Sequence, residues 1–243
     1  MSLEEKLKFC RFSGIIEHYE HVIKEAQENN WTHELFFETL IDHEVIVREN
    51  NRFQRLFRQA KFPNLKTIDQ FEFSKAPYQL KKEVMDLFNC QFIDDNTNLL
   101  FLGAPGTGKS HISIALGVEA CRQGKKVGFF TAANLGNQLV EMEEEQQLNK
   151  FLKKINKLDL LVIYELGYVK LSNQTTQLMF QIFSERYEKG SILVTSNLEF
   201  AQWADIFHDE RMTAAILDRL VHNSKILLFN GESYRFRSQK ENV

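Results

Sequence analysis

From residue 99 onward, short apolar runs alternate with amphipathic stretches. The runs at 99–102, 127–131, 160–163, 192–195 and 226–229 are apolar almost throughout. Unbroken runs of this length predict strands covered on both faces rather than strands with one wet face. Between them, residues 110–122, 133–144, 147–156, 173–188 and 213–222 carry apolar side chains at helical spacing. Strand–helix alternation predicts an α/β fold with a parallel sheet and helices on both faces. Ligands of such sheets bind at the carboxyl ends of the strands.

The front of the chain has another rhythm. Residues 1–61 hold no proline and one glycine, Gly14, and Leu3, Leu7, Phe9, Ile15, Ile16, Tyr19, Val22 and Ile23 recur at helical spacing. Thr32 is a candidate N-cap for a helix through Leu35, Phe36, Leu40 and Ile41, and a further helical stretch runs from Val45 to Phe62. Residues 62–77 break the period and carry two of the three prolines, which predicts a connector. A helix over about 78–92 should follow. The expected organisation is a small all-helical N-terminal domain, 1–72, and a nucleotide-binding domain, 73–243.

Composition narrows the class. The 243 residues are 43% hydrophobic, ample for a core, and the net charge of −3 leaves any nucleic-acid contact to local patches. Cys10, Cys90 and Cys121 are far apart and lack metal-ligand spacing. The segment Met1–Lys6 is charged, without the apolar stretch of an export signal, and no run approaches the ~20 apolar residues that span a bilayer. The expectation is a cytoplasmic protein with no membrane partner.

Chemistry concentrates after the first strand. Gly103, Gly108, Lys109 and Ser110 complete G-x-x-x-x-G-K-S between a strand and a helix. Glycines let backbone N–H groups converge on a polyphosphate, and the following helix points its positive end at the same place. Gly103, Ala104, Pro105, Gly106, Thr107, Gly108, Lys109, Ser110 and His111 are therefore the candidate ATP-binding residues. Lys109 supplies charge to the β- and γ-phosphates, and Ser110 a hydroxyl to Mg²⁺.

The third strand ends Tyr164-Glu165. In phosphate-loop ATPases this end usually reads Asp-Glu, the aspartate facing the metal and the glutamate polarising the attacking water. Glu165 keeps the second role, while Tyr164 stands at the aspartate position as a neutral phenol. Strand alternation places the two side chains on opposite sides. Asn197, after the fourth strand, is either a holder of water or γ-phosphate, or a helix N-cap. Arg219 is either a surface ion-pair partner of Asp218 or a finger reaching a neighbouring subunit. Arg235, in the turn 231–235, is a further candidate phosphate contact.

One helical face carries Arg48, Arg52, Arg55, Arg58 and Lys61, opposed by Glu49 alone. It is read either as the solvated side of a core helix or as a DNA-binding surface. Lys150, Lys153, Lys154 and Lys157, on one face of a later helix, are the next DNA candidates.

These stretches together carry a family likeness. The segments 103–111, 115–124, 130–139, 165–168, 195–197, 214–220 and 231–235 resemble IstB-type ATPases, helper proteins of bacterial insertion sequences, and are more distantly similar to DnaC and DnaI helicase loaders. The resemblance implies an AAA+ phosphate-loop fold, with a three-layer α/β/α core and little or no lid. It implies ATP and Mg²⁺ as cofactors, self-assembly into a helical or ring-like homo-oligomer on double-stranded DNA, and delivery of a transposase to target DNA. The alternative within the same fold is a replicative helicase loader. The departure is Tyr164, where the family has aspartate, so ATP hydrolysis is expected to be slow or absent while binding persists.

Overall fold

The computed structural model describes residues 1–73 and 78–230. The chain divides into two compact units, Met1–Arg55 and the part from Leu56 on.

The first unit is helical: α1 (Leu3–Phe9), α2 (Ser13–Glu28) and most of α3 (His33–Ala60). Ser2 and Glu5 form a reciprocal capping box at the start of α1. Thr32 caps α3 through its hydroxyl, which accepts the Leu35 N–H at 3.2 Å. The stretches expected around 32–41 and 45–62 are one continuous helix, since no proline or glycine interrupts 33–60. Lys61, at φ 61°, and Pro63 end it.

The dividing line at 55/56 falls well before the expected boundary at 72/73. Leu56 and Ala60 are buried, Phe57 lies 5.5 Å from Phe62, and Phe62 lies 5.6 Å from Phe129 on the sheet. Aromatic and aliphatic burial thus commits the last turn of α3 to the second unit.

The second unit continues with α4 (Tyr78–Leu87) and α5 (Gln91–Asp94). The single helix expected over 78–92 breaks here, because Cys90 takes a left-handed conformation and the Asn89 side chain accepts the Gln91 N–H at 3.0 Å. Then come β1 (Asn98–Leu102), α6 (Lys109–Arg122), β2 (Val127–Thr131), α7 (Ala132–Glu144), α8 (Leu148–Ile155), β3 (Leu160–Leu166), α9 (Asn173–Arg186), β4 (Ser191–Ser196), α10 (Ala204–Phe207), α11 (Glu210–Val221) and β5 (Ser224–Leu228). All five predicted strands are present. The four-residue α10 was not predicted, being too short for periodicity to register.

The sheet is parallel throughout, in the order β2-β3-β4-β1-β5. β1, β3 and β4 are covered on both faces, which explains their unbroken apolar runs, whereas the edge strand β5 departs from that expectation and leaves Ile226 and Leu228 exposed. One layer packs Leu100, Leu102, Leu161, Ile163, Ile192 and Val194 against α7, α9 and α11, while α6 covers the other face. Cys90 and Cys121 are buried, and burial pushes both thiols up to about 12, far from reactivity. Because β4 lies between β1 and β3, the carboxyl end of β4 sits between the phosphate loop and the Tyr164-Glu165 pair.

Candidate nucleotide site

Three strand ends and the start of α6 enclose a cleft of about 460 Å³. Gly106, Gly108, Lys109, Ser110 and His111 form one wall, Tyr164 and Glu165 another, and Thr195, Ser196 and Asn197 the floor between them. Gly108 has φ 100°, and a Cβ there would sit 2.5 Å from the Phe71 ring, so neither the turn nor the neighbour tolerates a side chain.

Lys109 is the first residue of α6 and only 8% exposed. Its Nζ donates to the carbonyls of Gly103 (2.5 Å) and Ala104 (2.7 Å), folding the side chain back over its own loop. Burial draws its pKa down to about 8. The loop is further braced by the Thr107 hydroxyl donating to the Ala104 carbonyl at 2.8 Å. Loop amides, the α6 N-terminus and an ammonium thus converge on one volume, a combination suited to a polyphosphate.

The Ser110 hydroxyl donates to the Tyr164 phenol oxygen at 2.9 Å. The tyrosine ring lies 5.6 Å from Phe129. The group at the usual aspartate position therefore contacts the serine directly, as a neutral partner. Next to it the strand bulges. Ile163 pairs with Val194 and Leu166 with Ser196, so Tyr164 and Glu165 together oppose Thr195. Glu165 sits at φ 63°, its N–H bonded to the Thr195 hydroxyl at 3.0 Å. Strict alternation predicted opposite sides for the two side chains. With the bulge in place, both residues line the cleft.

Asn197 also reaches the cleft, and its Oδ1 is buried without a hydrogen-bond partner. A buried amide oxygen in that condition is costly and suits a donor supplied by a ligand or water. Arg219 lies elsewhere. It donates to the Ala215 carbonyl at 2.8 Å on its own helix, and its guanidinium stacks over Phe180 at 4.6 Å. Arg235 lies outside the described residues.

Sequence reading passed over the other side of the cleft. The stretch 62–73 is not a plain connector: Pro63, Asn64 and Lys66 line the cleft. The Thr67 carbonyl meets His111 Nε2 at 2.8 Å, and the Phe71 ring lies 5.3 Å from the His111 ring. The available signal was Phe71 and Phe73, apolar bulk too large for a solvated linker.

On the arginine face, Arg48 is engaged within the helical unit. Arg48 donates to Glu44 at 2.6 Å and to the Arg11 carbonyl at 3.3 Å, and it lies over the Phe12 ring. Glu44, 5% exposed at its side chain, accepts the N–H groups of Gly14 (2.7 Å) and Ile15 (3.3 Å) at the start of α2. Burial raises the Glu44 pKa, but the Arg48 and backbone hydrogen bonds outweigh it and leave the carboxyl below its ordinary value. Arg48 is thus a structural link within the helical unit. Arg52 and Arg58 also take part in interactions, and Arg52, Arg55, Arg58 and Lys61 are exposed.

The implied groups are a nucleoside triphosphate and Mg²⁺, and the cleft suits them unequally. It fits a nucleoside triphosphate through its amides and its ammonium, and the orphaned Asn197 oxygen can accept from a water beside the phosphates. It does not by itself fit a divalent metal. Among the described residues its lining holds one carboxylate, Glu165, and no group of three or more His, Cys, Asp or Glu is placed to hold a metal ion. Ser110 faces a phenol.

Strand order, glycine loop and strand-end polar groups define a phosphate-loop protein with an AAA+-type core. The chain belongs to the IstB-like ATP binding protein family, whose model it matches over residues 5–242. It is 38% identical over 215 residues to a protein of insertion sequence IS5376 from Geobacillus stearothermophilus, named for ATP binding, covering 88% of this chain and 86% of that protein. It is 33% identical over 239 residues to the correspondingly named protein of insertion sequence IS21 from Pseudomonas aeruginosa, covering 98% and 90%. Among solved structures, the DnaC helicase loader shares the fold, with a TM-score of 0.53 and 22% identity over 72% of this chain and 99% of that one. Among the described residues, no helix is long and apolar enough to cross a membrane.

Proposed function

We propose that this chain is an ATP-controlled assembly factor of an insertion sequence: ATP in the cleft lets copies associate on duplex DNA, and the assembly brings a transposase to its target. The single observation carrying the reading is the convergence of Lys109, the glycine-rich loop and the α6 N-terminus opposite Glu165 and Asn197, in a chain of the IstB-like family. The names of the relatives supply the setting, since they are proteins of insertion sequences.

The residues act as follows. Loop amides and the α6 dipole hold the phosphates. Lys109 exchanges the Gly103 and Ala104 carbonyls for phosphate oxygens, so the nucleotide also repays its burial. Glu165, held by the bulge and by Thr195, orients the attacking water as general base, and Asn197 fixes that water or the γ-phosphate from the side. The carboxylate that usually faces a nucleotide-bound metal is absent from the cleft, so turnover is slow. Arg219 leaves Phe180 to meet the γ-phosphate of the next subunit.

Electron microscopy of the full chain with duplex DNA and ATP tests the reading. Rings or filaments should form with ATP and not with ADP. The Arg219→Ala chain should bind ATP as a monomer yet fail to assemble. Nucleotide-independent monomers on DNA under all conditions would overturn it.

A further inference from the structure

A second concavity lies at the other end of the sheet. It encloses about 460 Å³ and is lined by Leu56, Gln59, Lys61, Lys126, Val127, Lys154, Lys157 and Leu158. The end of α3, the residue entering β2, the end of α8 and the turn before β3 all meet there. Four ammonium groups rim the groove, all on exposed residues, and no carboxylate lines it among the described residues. None of the four lysines enters an ion pair among those residues. The neighbouring Lys125 shows the contrast, since it is paired with Asp94.

The rim is also rigid. The Lys126 N–H donates to the Asp159 carboxylate at 2.6 Å, and the Asp159 N–H returns to the Lys126 carbonyl at 2.8 Å. Asp159, the nearest carboxylate in sequence, is thereby held on backbone. Arg186, 2% exposed, donates to the carbonyls of Ile155, Leu158 and Ser191, each at 2.9 Å. It clamps the turn that carries Lys157. Four like charges held together without a counter-ion repel one another and gain when a polyanion arrives.

We propose that this groove is a duplex DNA backbone site, in which Lys61, Lys126, Lys154 and Lys157 contact phosphates. The inference rests on the reading that the chain binds duplex DNA and moves the main contact away from the α3 arginine face. Lysine serves this purpose as a point charge that needs no fixed geometry. Lys150 and Lys153 extend the strip along α8, where seven residues span about 10 Å. The groove opens at the amino ends of β2 and β3, whereas the nucleotide cleft opens at the carboxyl ends. About 17 Å of strand separates the two, so ATP and DNA bind together without competing.

The test is fluorescence anisotropy of a short labelled duplex against the full chain with ATP, over a series of salt concentrations. Three chains are compared: wild type, Lys126→Ala/Lys154→Ala/Lys157→Ala, and the same three positions changed to arginine. The alanine chain should bind about one to two decades more weakly, with the slope of log K against log salt reduced by about 2.7, while the arginine chain stays near wild type. ATP affinity and melting temperature should be unchanged in both. Wild-type DNA affinity and slope in the alanine chain overturn the inference alone, and capture of an acidic protein segment by the groove would then be its explanation. No DNA binding by wild type overturns the reading beneath it as well.

Discussion

The nucleotide cleft and the arginine-bearing half of α3 both read as anion sites in the sequence, yet they are built from opposite materials. In the cleft, positive groups converge because the backbone has nowhere else to go. A strand ends, glycines turn the chain, and a helix begins with Lys109. On α3 the charges share a face, but a helix face says nothing about what stands opposite it. Arg48 turns out to be tied to Glu44 and to the Arg11 carbonyl, and Glu44 in turn holds the start of α2. A motif that constrains backbone dihedrals predicts position, whereas a pattern of charges predicts only direction.

Four measurements press on this contrast, the strongest first. Lys109→Ala should lower ATP affinity by about two decades in calorimetry, because a charge-assisted contact is worth about 1.5–3 kcal/mol and this lysine is positioned for more than one. Unchanged affinity would put the cleft on the same footing as the helix face. Next, Tyr164→Asp should raise DNA-stimulated ATP turnover by about one to two decades with little change in ATP affinity, since it replaces the phenol bonded to Ser110 with a carboxylate. Equal turnover would mean that the bulge already lets Glu165 do the work of both residues.

On the helix, Arg52→Ala/Arg55→Ala/Arg58→Ala should weaken duplex binding by less than about a decade, uniformly across sequences, as expected for phosphate contacts outside the main track. A larger loss than that of the lysine-groove variant would restore α3 as the principal surface. The smallest effect belongs to Glu44→Gln, which should cost about 1–3 kcal/mol of helical-unit stability at neutral pH, seen as faster amide exchange at Gly14 and Ile15. The folded Glu44 carboxyl titrates below its ordinary 4.5, so its contribution is complete above that pH and disappears as pH falls through the folded value. The gap between wild type and Glu44→Gln should therefore close in acid. A gap that persists would assign the stabilisation to packing.

What the sequence determined by itself is the part of the molecule governed by local rules. Five apolar runs separated by helical periods could only bury themselves as a parallel sheet under helices. The loop at 103–110 had its conformation written in its glycines, and the tyrosine at 164 was visible as a missing charge. The tertiary structure decided everything that depends on which distant groups meet. It gave the last turn of α3 and the stretch 62–73 to the nucleotide-binding unit, since Leu56, Phe62 and Phe71 find apolar partners there. A bulge set Tyr164 and Glu165 together opposite Thr195, and both residues line the cleft. Arg48 was given to Glu44. Lys61, Lys126, Lys154 and Lys157, scattered over nearly a hundred residues, were gathered around one groove. Local propensity acts through neighbours along the chain, whereas burial and charge act through neighbours in space, and those are fixed only when the chain closes on itself.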